Sequence, residues 1–376
     1  MKIPFNKPCF EGKELVYIAQ AIGNGIISGD GAFTKKCHAL FEEQLGVRKA
    51  FMTTSCTHAL EMTAILLALQ EGDEVIVPSF TFVSTANAYA LHGAKLVFAD
   101  IRPDTLNLDE SRLEELITPR TRAIVPVHYA GVGCEMDTIM EIADRHGLVV
   151  IEDNAHGLFG TYRNRFLGSI GHMATLSFHE TKNFTCGEGG ALLLNEDRYL
   201  KRAEIIREKG TNRSQLFRGE INKYTWVDIG SSFLPSDMLS AFLYGQLESK
   251  NHILEHRKRI WDTYTAGLKT WAQAHRVALP FIPDDCEQSY HMFYMIMPTA
   301  EDRDTLISYL KERGIHAVFH YLPLHQSQMG KQSAARYHAC PVTDDMSARL
   351  IRLPFYNSLS QGEQEEIINT IMQFYD

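Results

Sequence analysis

The chain has 376 residues, is 45% hydrophobic and 22% charged, and carries a formal net charge of −9. This is the make-up of an ordinary globular enzyme with a sizeable core, and it excludes a disordered or low-complexity chain. Lys and Arg are spread without a basic block, which argues against a nucleic-acid partner, and no stretch approaches the roughly 20 apolar residues of a membrane helix.

The amino terminus, MKIPFNKPCFEGKELVY, has no apolar run of signal-peptide length, so a cytoplasmic location with no membrane partner is expected. Seven cysteines (Cys9, Cys37, Cys56, Cys134, Cys186, Cys286 and Cys340) are scattered without CxxC pairs, which reads as reduced thiols rather than a disulfide framework or zinc site.

From about residue 50 onward, short apolar runs alternate with helical patterns. A helix is predicted over His58 to Leu69, then strands over Glu74 to Phe80 and Ala94 to Ile101, then a helix after Leu108. Further strands are expected at Ala123 to Tyr129, Leu148 to Asp153, Ala174 to His179 and Gly190 to Asn195, with a helix from Asp137 to Gly147 between the first two. Such alternation specifies an α/β fold with a mainly parallel central sheet. A long helical region over Ser236 to Ala272 follows, then strand-like HMFYMIMP (His291 to Pro298) and helical DRDTLISYLKERG (Asp302 to Gly314). The division is placed near residue 250, giving a large domain (1–250) and a smaller carboxy-terminal α+β domain (251–376).

In open α/β sheets, ligands bind beyond the carboxyl ends of the strands. Asp153 closes one predicted strand, Ser177 lies near the end of another, and Lys182 follows in SFHETKN. An aspartate and a lysine so placed suit pyridoxal 5′-phosphate, whose aldehyde needs an amine and whose ring nitrogen needs an acidic partner. Alone, Lys182 reads equally as a solvated surface lysine. TTSCTHAL (Thr53 to Leu60) sets Ser55, Cys56 and Thr57 at a helix amino terminus, an anion site suited to the cofactor phosphate, although simple N-capping explains the same residues. Phe82 offers a plate for the ring or, alternatively, a core side chain, and His156 offers a donor to the cofactor's phenolic oxygen. His128, His172 and His179 have no zinc-type spacing, so no metal is expected.

SCTHALEMT, GDEVIVPSFTFVSTANA, PVHYAG, VIEDNAHG, SFHETKN followed by GEGGALL, and HYLPLH occur in the order of the DegT/StrS nucleotide-sugar aminotransferases, which this chain resembles nearly end to end. The resemblance implies the type I aspartate-aminotransferase fold and a homodimer with active sites shared between subunits. It also implies transfer of an amino group from L-glutamate to the C4 keto group of dTDP-4-dehydro-6-deoxyglucose. REKGTNRSQLFRG (Arg207 to Gly219) and KYTWVDIGSSF (Lys223 to Phe233) are most similar to the branch producing a 4-amino-4,6-dideoxygalactose nucleotide. By the same likeness Lys182 is the Schiff-base lysine, Asp153 the ring-nitrogen partner, Phe82 the stacking aromatic and Ser177 a phosphate ligand, with Ser55 to Thr57 as the phosphate turn. Arg213, Arg218, Tyr321 and His325 fall in motifs that resemble substrate-facing loops, where salt-bridged surface roles would also account for the two arginines.

Three positions depart from the family pattern. His156 stands where many members have Gln, Asn154 where Ala is common, and Ser232 where many members supply an Asn from the partner subunit. Competing readings are a sugar dehydratase of the same fold, which has a histidine in place of Lys182, and a cofactor-binding protein without turnover. A dinucleotide-dependent dehydrogenase is disfavoured because no G-x-G-x-x-G follows the first strand.

Overall fold

The computed structural model describes residues 2–8, 10 and 12–375. Its strands in the first half are β1 (Lys49–Thr53), β2 (Glu74–Pro78), β3 (Lys95–Ala99), β4 (Thr121–Ile124), β5 (Val149–Asp153), the short β6 (Thr161–Tyr162) and β7 (Arg165–Phe166), then β8 (Met173–Ser177) and β9 (Gly190–Leu194). Seven of them form one sheet in the order β1-β9-β8-β5-β4-β2-β3. β8, β5, β4, β2 and β3 pair in parallel, whereas β9 is antiparallel to both of its neighbours.

Because helices cover both faces, the strands are continuous apolar runs rather than alternating ones, and every residue of β2 and β9 is buried. Successive side chains go to opposite layers. Val75 and Val77 join one core with Leu96 and Phe98, while Ile76 joins another with Val97, Ile124 and Val150.

Two local expectations need correction and a third is made more specific. The strand predicted over Ala123 to Tyr129 stops at Ile124, because Pro126 has no N–H to give a ladder; the chain then turns through Ala130 (φ 55°) and Gly131 (φ 87°). After Leu108 there is only a short turn and the four-residue helix Leu113–Leu116, ended by extended backbone at Ile117 ahead of Pro119. The region Ser236 to Ala272 is two helices, Asp237–Glu248 and Lys250–Ala274, which meet at Ser249.

Beyond these helices come β10 (Cys286–Glu287), which pairs with β6, and β11 (Tyr294–Ile296), β12 (Val318–Phe319) and β13 (Leu350–Arg352). The last three form an antiparallel sheet in the order β11-β13-β12. This sheet, the helices Ala300–Glu312 and Gln361–Met372, and the far half of Lys250–Ala274 enclose a second core that contains Ile260, Tyr264, Phe293, Leu310, Ile367 and, from the amino terminus, Ile3. The six described cysteines are free thiols, and Cys9 lies outside the described residues. Among the described residues no helix is long and apolar enough to cross a membrane.

Candidate active site

The carboxyl ends of the parallel strands bring the chemistry together. Asp153, the last residue of β5, is buried; its Oδ2 accepts a hydrogen bond from the Thr85 hydroxyl (2.7 Å) and its Oδ1 one from the Ala155 N–H (3.2 Å). Thr85 is in turn held by the Thr81 hydroxyl at 2.9 Å. Burial pushes the Asp153 carboxyl above its ordinary value, opposed by the Thr85 and Ala155 donors and then by the positive charge of Lys182. Lys182 lies in a turn just past β8, where its N–H reaches the His179 carbonyl at 2.9 Å. Burial draws its ammonium down to about 8, against the pull of Cys56 and Asp153.

On the β1 side, Ser55 caps the helix Cys56–Leu66, its hydroxyl accepting the His58 N–H at 3.1 Å. Its side chain is thus committed to the cap, while the N–H groups of Cys56 and Thr57 stay at the helix's open end. The Thr57 hydroxyl donates to Ser84 (2.8 Å) in the first turn of the helix Val83–Ala90, so two helix amino termini meet here. The Cys56 thiol points to the Thr175 hydroxyl at 3.5 Å. Ser177 ends β8 opposite Gly190, and only a glycine fits there: a Cβ at position 190 would lie 2.3 Å from the Cys56 nitrogen.

Facing this is a wall of rings. Phe82 is 56% exposed, which rules out a core role, and it tilts toward Tyr321 at 6.3 Å between centroids. Tyr321 stacks on His320 (3.5 Å), and His156 stacks on His291 (4.2 Å, 19° between planes). The Tyr129 hydroxyl holds the His320 Nδ1 at 2.7 Å; Asn183, next to Lys182, fixes His291 by its Oδ1 (2.9 Å) while giving its Nδ2 hydrogen to the Ser289 carbonyl (2.6 Å). Burial pushes all three imidazoles well below their ordinary value, so they are neutral. The His156 Nε2 sits 3.4 Å from the Tyr321 hydroxyl, and its buried Nδ1 has no partner.

Asp153, Lys182, Ser55 to Thr57, Ser177, Phe82, His156 and Tyr321 therefore lie around one region. His325 does not offer its ring to it: the ring is buried, with Nδ1 2.7 Å from the Ser79 hydroxyl and Nε2 3.5 Å from Asp344, so it pins its loop to the end of β2. Arg218 is held by Glu204 (3.0 Å) and Glu220 (2.6 Å), the salt-bridged alternative. Arg213 lies over Phe217, and Ser232 is exposed, bridged by backbone to Glu208. Asn154 is structural, donating to the Leu167 carbonyl at 2.7 Å. His128 is paired with Glu152 at 2.8 Å, and among the described residues no group of three or more His, Cys, Asp or Glu forms a metal site. Sequence reasoning missed Thr85, Ser84, Asn183, His291 and His320. Ser84 and Thr85 stand in FTFVSTAN, Asn183 in SFHETKN and His320 in HYLPLH, so each lay in a motif already singled out, whereas His291 did not.

A buried amine, a buried carboxylate with a donor on each oxygen, an open helix end, an exposed aromatic face and an unpaired imidazole nitrogen together fit a phosphorylated pyridine aldehyde. Comparison with known proteins agrees. The model of the DegT/DnrJ/EryC1/StrS aminotransferase family matches residues 8–372. The chain is 30% identical over 381 residues to the spore coat polysaccharide biosynthesis protein SpsC of Bacillus subtilis (strain 168), covering 98% of this chain and 96% of that one. It is also 30% identical over 374 residues to the GDP-perosamine synthase of Escherichia coli O157:H7, covering 99% and 98%. Among solved structures, the aminotransferase TlmJ from Streptoalloteichus hindustanus superposes with a TM-score of 0.92 at 27% identity, covering 100% of this chain and 99% of that one. The pyridoxal-phosphate form of the sugar aminotransferase Spr1654 from Streptococcus pneumoniae gives 0.91 at 26% identity, covering 100% and 98%. The chain belongs to the DegT/DnrJ/EryC1/StrS aminotransferase family and is a pyridoxal-phosphate-dependent sugar aminotransferase of the type I fold.

Proposed function

We propose that the enzyme moves an amino group from L-glutamate to the C4 keto group of dTDP-4-dehydro-6-deoxyglucose, giving dTDP-4-amino-4,6-dideoxygalactose for a surface polysaccharide. The observation that carries the transfer chemistry is Lys182, its ammonium drawn down to about 8, within electrostatic reach of a buried Asp153. Bound pyridoxal phosphate supplies an aldehyde that exchanges amines and a ring that accepts electrons from a breaking C–H bond. Lys182 holds the cofactor at rest; once released, its amine moves the proton between the two carbon ends, a task that a lowered basicity favours. Asp153, as an anion, keeps the ring nitrogen protonated, and the Thr85 and Ala155 donors hold its two oxygens in place.

Phe82 stacks on the ring, and the unpaired Nδ1 of His156 is free for the phenolic oxygen. The N–H groups of Cys56 and Thr57, with the Ser177 hydroxyl, receive the phosphate. Ser232 of the partner subunit completes that phosphate site in a homodimer. Exposed Phe217 (70%), Trp226 (75%) and Ile229 (57%) in the neighbouring segment support such an interface. Tyr321 faces the sugar, and Arg213, whose guanidinium has no carboxylate partner among the described residues, serves the nucleotide. We place the protein in the cytoplasm and divide its chain near residue 250, a division supported by the second core, which is built from Ile260 onward apart from Ile3 of the amino terminus.

The choice of dTDP rests on SFHETKN, REKGTNRSQLFRG and KYTWVDIGSSF, whereas the likeness to GDP-perosamine synthase favours a second reading in which the nucleotide is GDP. Incubation with glutamate and either keto sugar decides between them. Product NMR then gives the carbon aminated and the configuration at C4, and borohydride trapping followed by peptide mapping should place the label on Lys182. A label on another lysine would sink the assignment.

A further inference from the structure

The ring of His156 is held in place by the protein alone. It stacks on His291 at 4.2 Å with 19° between the planes, and the Ser289 hydroxyl donates to its backbone carbonyl. His291 is itself fixed at both ends. Asn183 gives its Nδ2 hydrogen to the Ser289 carbonyl, so its Oδ1 is the acceptor that meets Nδ1 of His291. Arg257 donates to the carbonyls of Tyr290 (2.8 Å) and His291 (2.6 Å), and the chain between them holds Tyr290 in the left-handed region at φ 54°.

What this clamp does not decide is which nitrogen of His156 carries the hydrogen. Burial and the cations Lys182 and Arg352 keep the imidazole neutral, and the other groups around it, His291, His320, Tyr129 and Tyr321, are neutral as well. A neutral imidazole has one N–H and one bare nitrogen, and the bond made by one of them sets the state of the other. Nε2 lies 3.4 Å from the Tyr321 hydroxyl, while the buried Nδ1 has no partner. Burial keeps the Tyr321 phenol protonated, its ring is held by the stack on His320 and the edge of Phe80 (5.6 Å), and among the described residues its hydroxyl has no other hydrogen-bond partner.

With the hydrogen on Nε2, the phenol would have to accept, its own O–H would go unmet, and a bare Nδ1 would face the phenolic oxygen of pyridoxal phosphate, acceptor against acceptor. With the hydrogen on Nδ1, the phenol donates to Nε2 and Nδ1 donates to the cofactor, so every group is satisfied. A Gln at position 156 would carry a permanent N–H donor; a His needs its hydrogen placed. We infer that the Tyr321 hydroxyl places it: by donating to Nε2 of His156 it fixes the hydrogen on Nδ1, so that Tyr321 acts on the cofactor's phenolic oxygen through His156, as a positioning residue. This rests on the reading above in which Nδ1 of His156 meets that oxygen.

The test titrates the cofactor-free protein with pyridoxal phosphate and with 3-deoxypyridoxal phosphate, which has no phenolic oxygen. Y321F should weaken the natural cofactor about 3- to 10-fold and leave the analogue within about 1.5-fold, the loss expected for one neutral hydrogen bond. In an H156Q background the same change should matter by less than about twofold, because the amide donor needs no partner to set it. In the holoenzyme, the pH midpoint of the visible absorbance should rise by about half a unit in Y321F, since a poorer donor leaves the phenolic oxygen more basic. Equal losses for both cofactors, or the same loss in H156Q as in wild type, would show that the hydroxyl only packs the wall and would overturn the assignment; so would a Y321F chain that fails to fold. H156F separates the two readings. If it prefers pyridoxal phosphate over the analogue by the wild-type margin, the His156 contact fails and takes the role of Tyr321 with it; if it loses that preference while Y321F keeps it, only the role of Tyr321 fails.

Discussion

Lys182 has a cost that can be measured without any substrate. Its folded value of about 8 lies below the ordinary 10.5, so between those limits the unfolded chain binds the extra proton. The penalty is complete below pH 8 and is relieved as the pH rises toward 10.5. Lys182→Met should therefore stabilise the cofactor-free protein at pH 7 by on the order of 2–3 kcal/mol, with the gap closing near pH 10. Urea unfolding at the two pH values measures it, and equal midpoints at pH 7 would show that the ammonium is not desolvated. Asp153→Asn keeps the shape but not the charge, so the ring nitrogen loses its reason to stay protonated. We expect cofactor still to bind and single-turnover transfer to slow by about 100-fold or more; an unaltered single-turnover rate would remove Asp153 from the role given to it. Both residues were legible in the sequence because each sits within a few positions of a recognisable strand end. The roles of His291 and His320 were not, although HYLPLH stood out as a motif, because both flank the second sheet and no local pattern records a contact made across more than a hundred residues.

At the scale of elements, the antiparallel β9 does more than extend the sheet. It lies between β1 and β8, the two strands whose ends carry the proposed phosphate turn and Ser177, and so fixes their separation. Gly190 is the point of closest approach, with a Cβ there meeting the Ser55 carbonyl carbon and the Cys56 nitrogen, both at 2.3 Å. Gly190→Ala must displace that backbone. It should cost about 1–3 kcal/mol in stability and weaken cofactor binding at least tenfold. Fluorescence titration of the cofactor-free protein checks this, and an unchanged Kd would mean that the turn does not depend on the close contact. β2, β3, β5 and β8 were readable as short apolar runs, wrong by only a residue or two at their ends. The direction of β9 was not, since pairing sense leaves no trace in a strand buried on both faces. β1 escaped notice because KAFMT is only five residues long and runs straight into the helix start TSCTHAL, and only its partner β9 declares it a strand.

For the whole molecule, the question is whether one chain holds a complete site. Phe82 is 56% exposed, and Trp226, 75% exposed, lies on the segment that carries Ser232, so both leave apolar surface that a partner subunit could cover. If the homodimer shares its sites, damage to Lys182 and damage to Ser232 fall in different sites of a hybrid. A dimer of one Lys182→Ala chain and one Ser232→Trp chain then contains one site with both defects and one with neither. Random reassortment of equal amounts makes half the dimers hybrid, so activity should return to about a quarter of the wild-type value from two variants that are each inactive as homodimers. Mixing after mild dissociation, with turnover followed against time, measures it. Sites confined to single chains predict no recovery at any ratio, because every chain in the mixture would then carry a defect of its own.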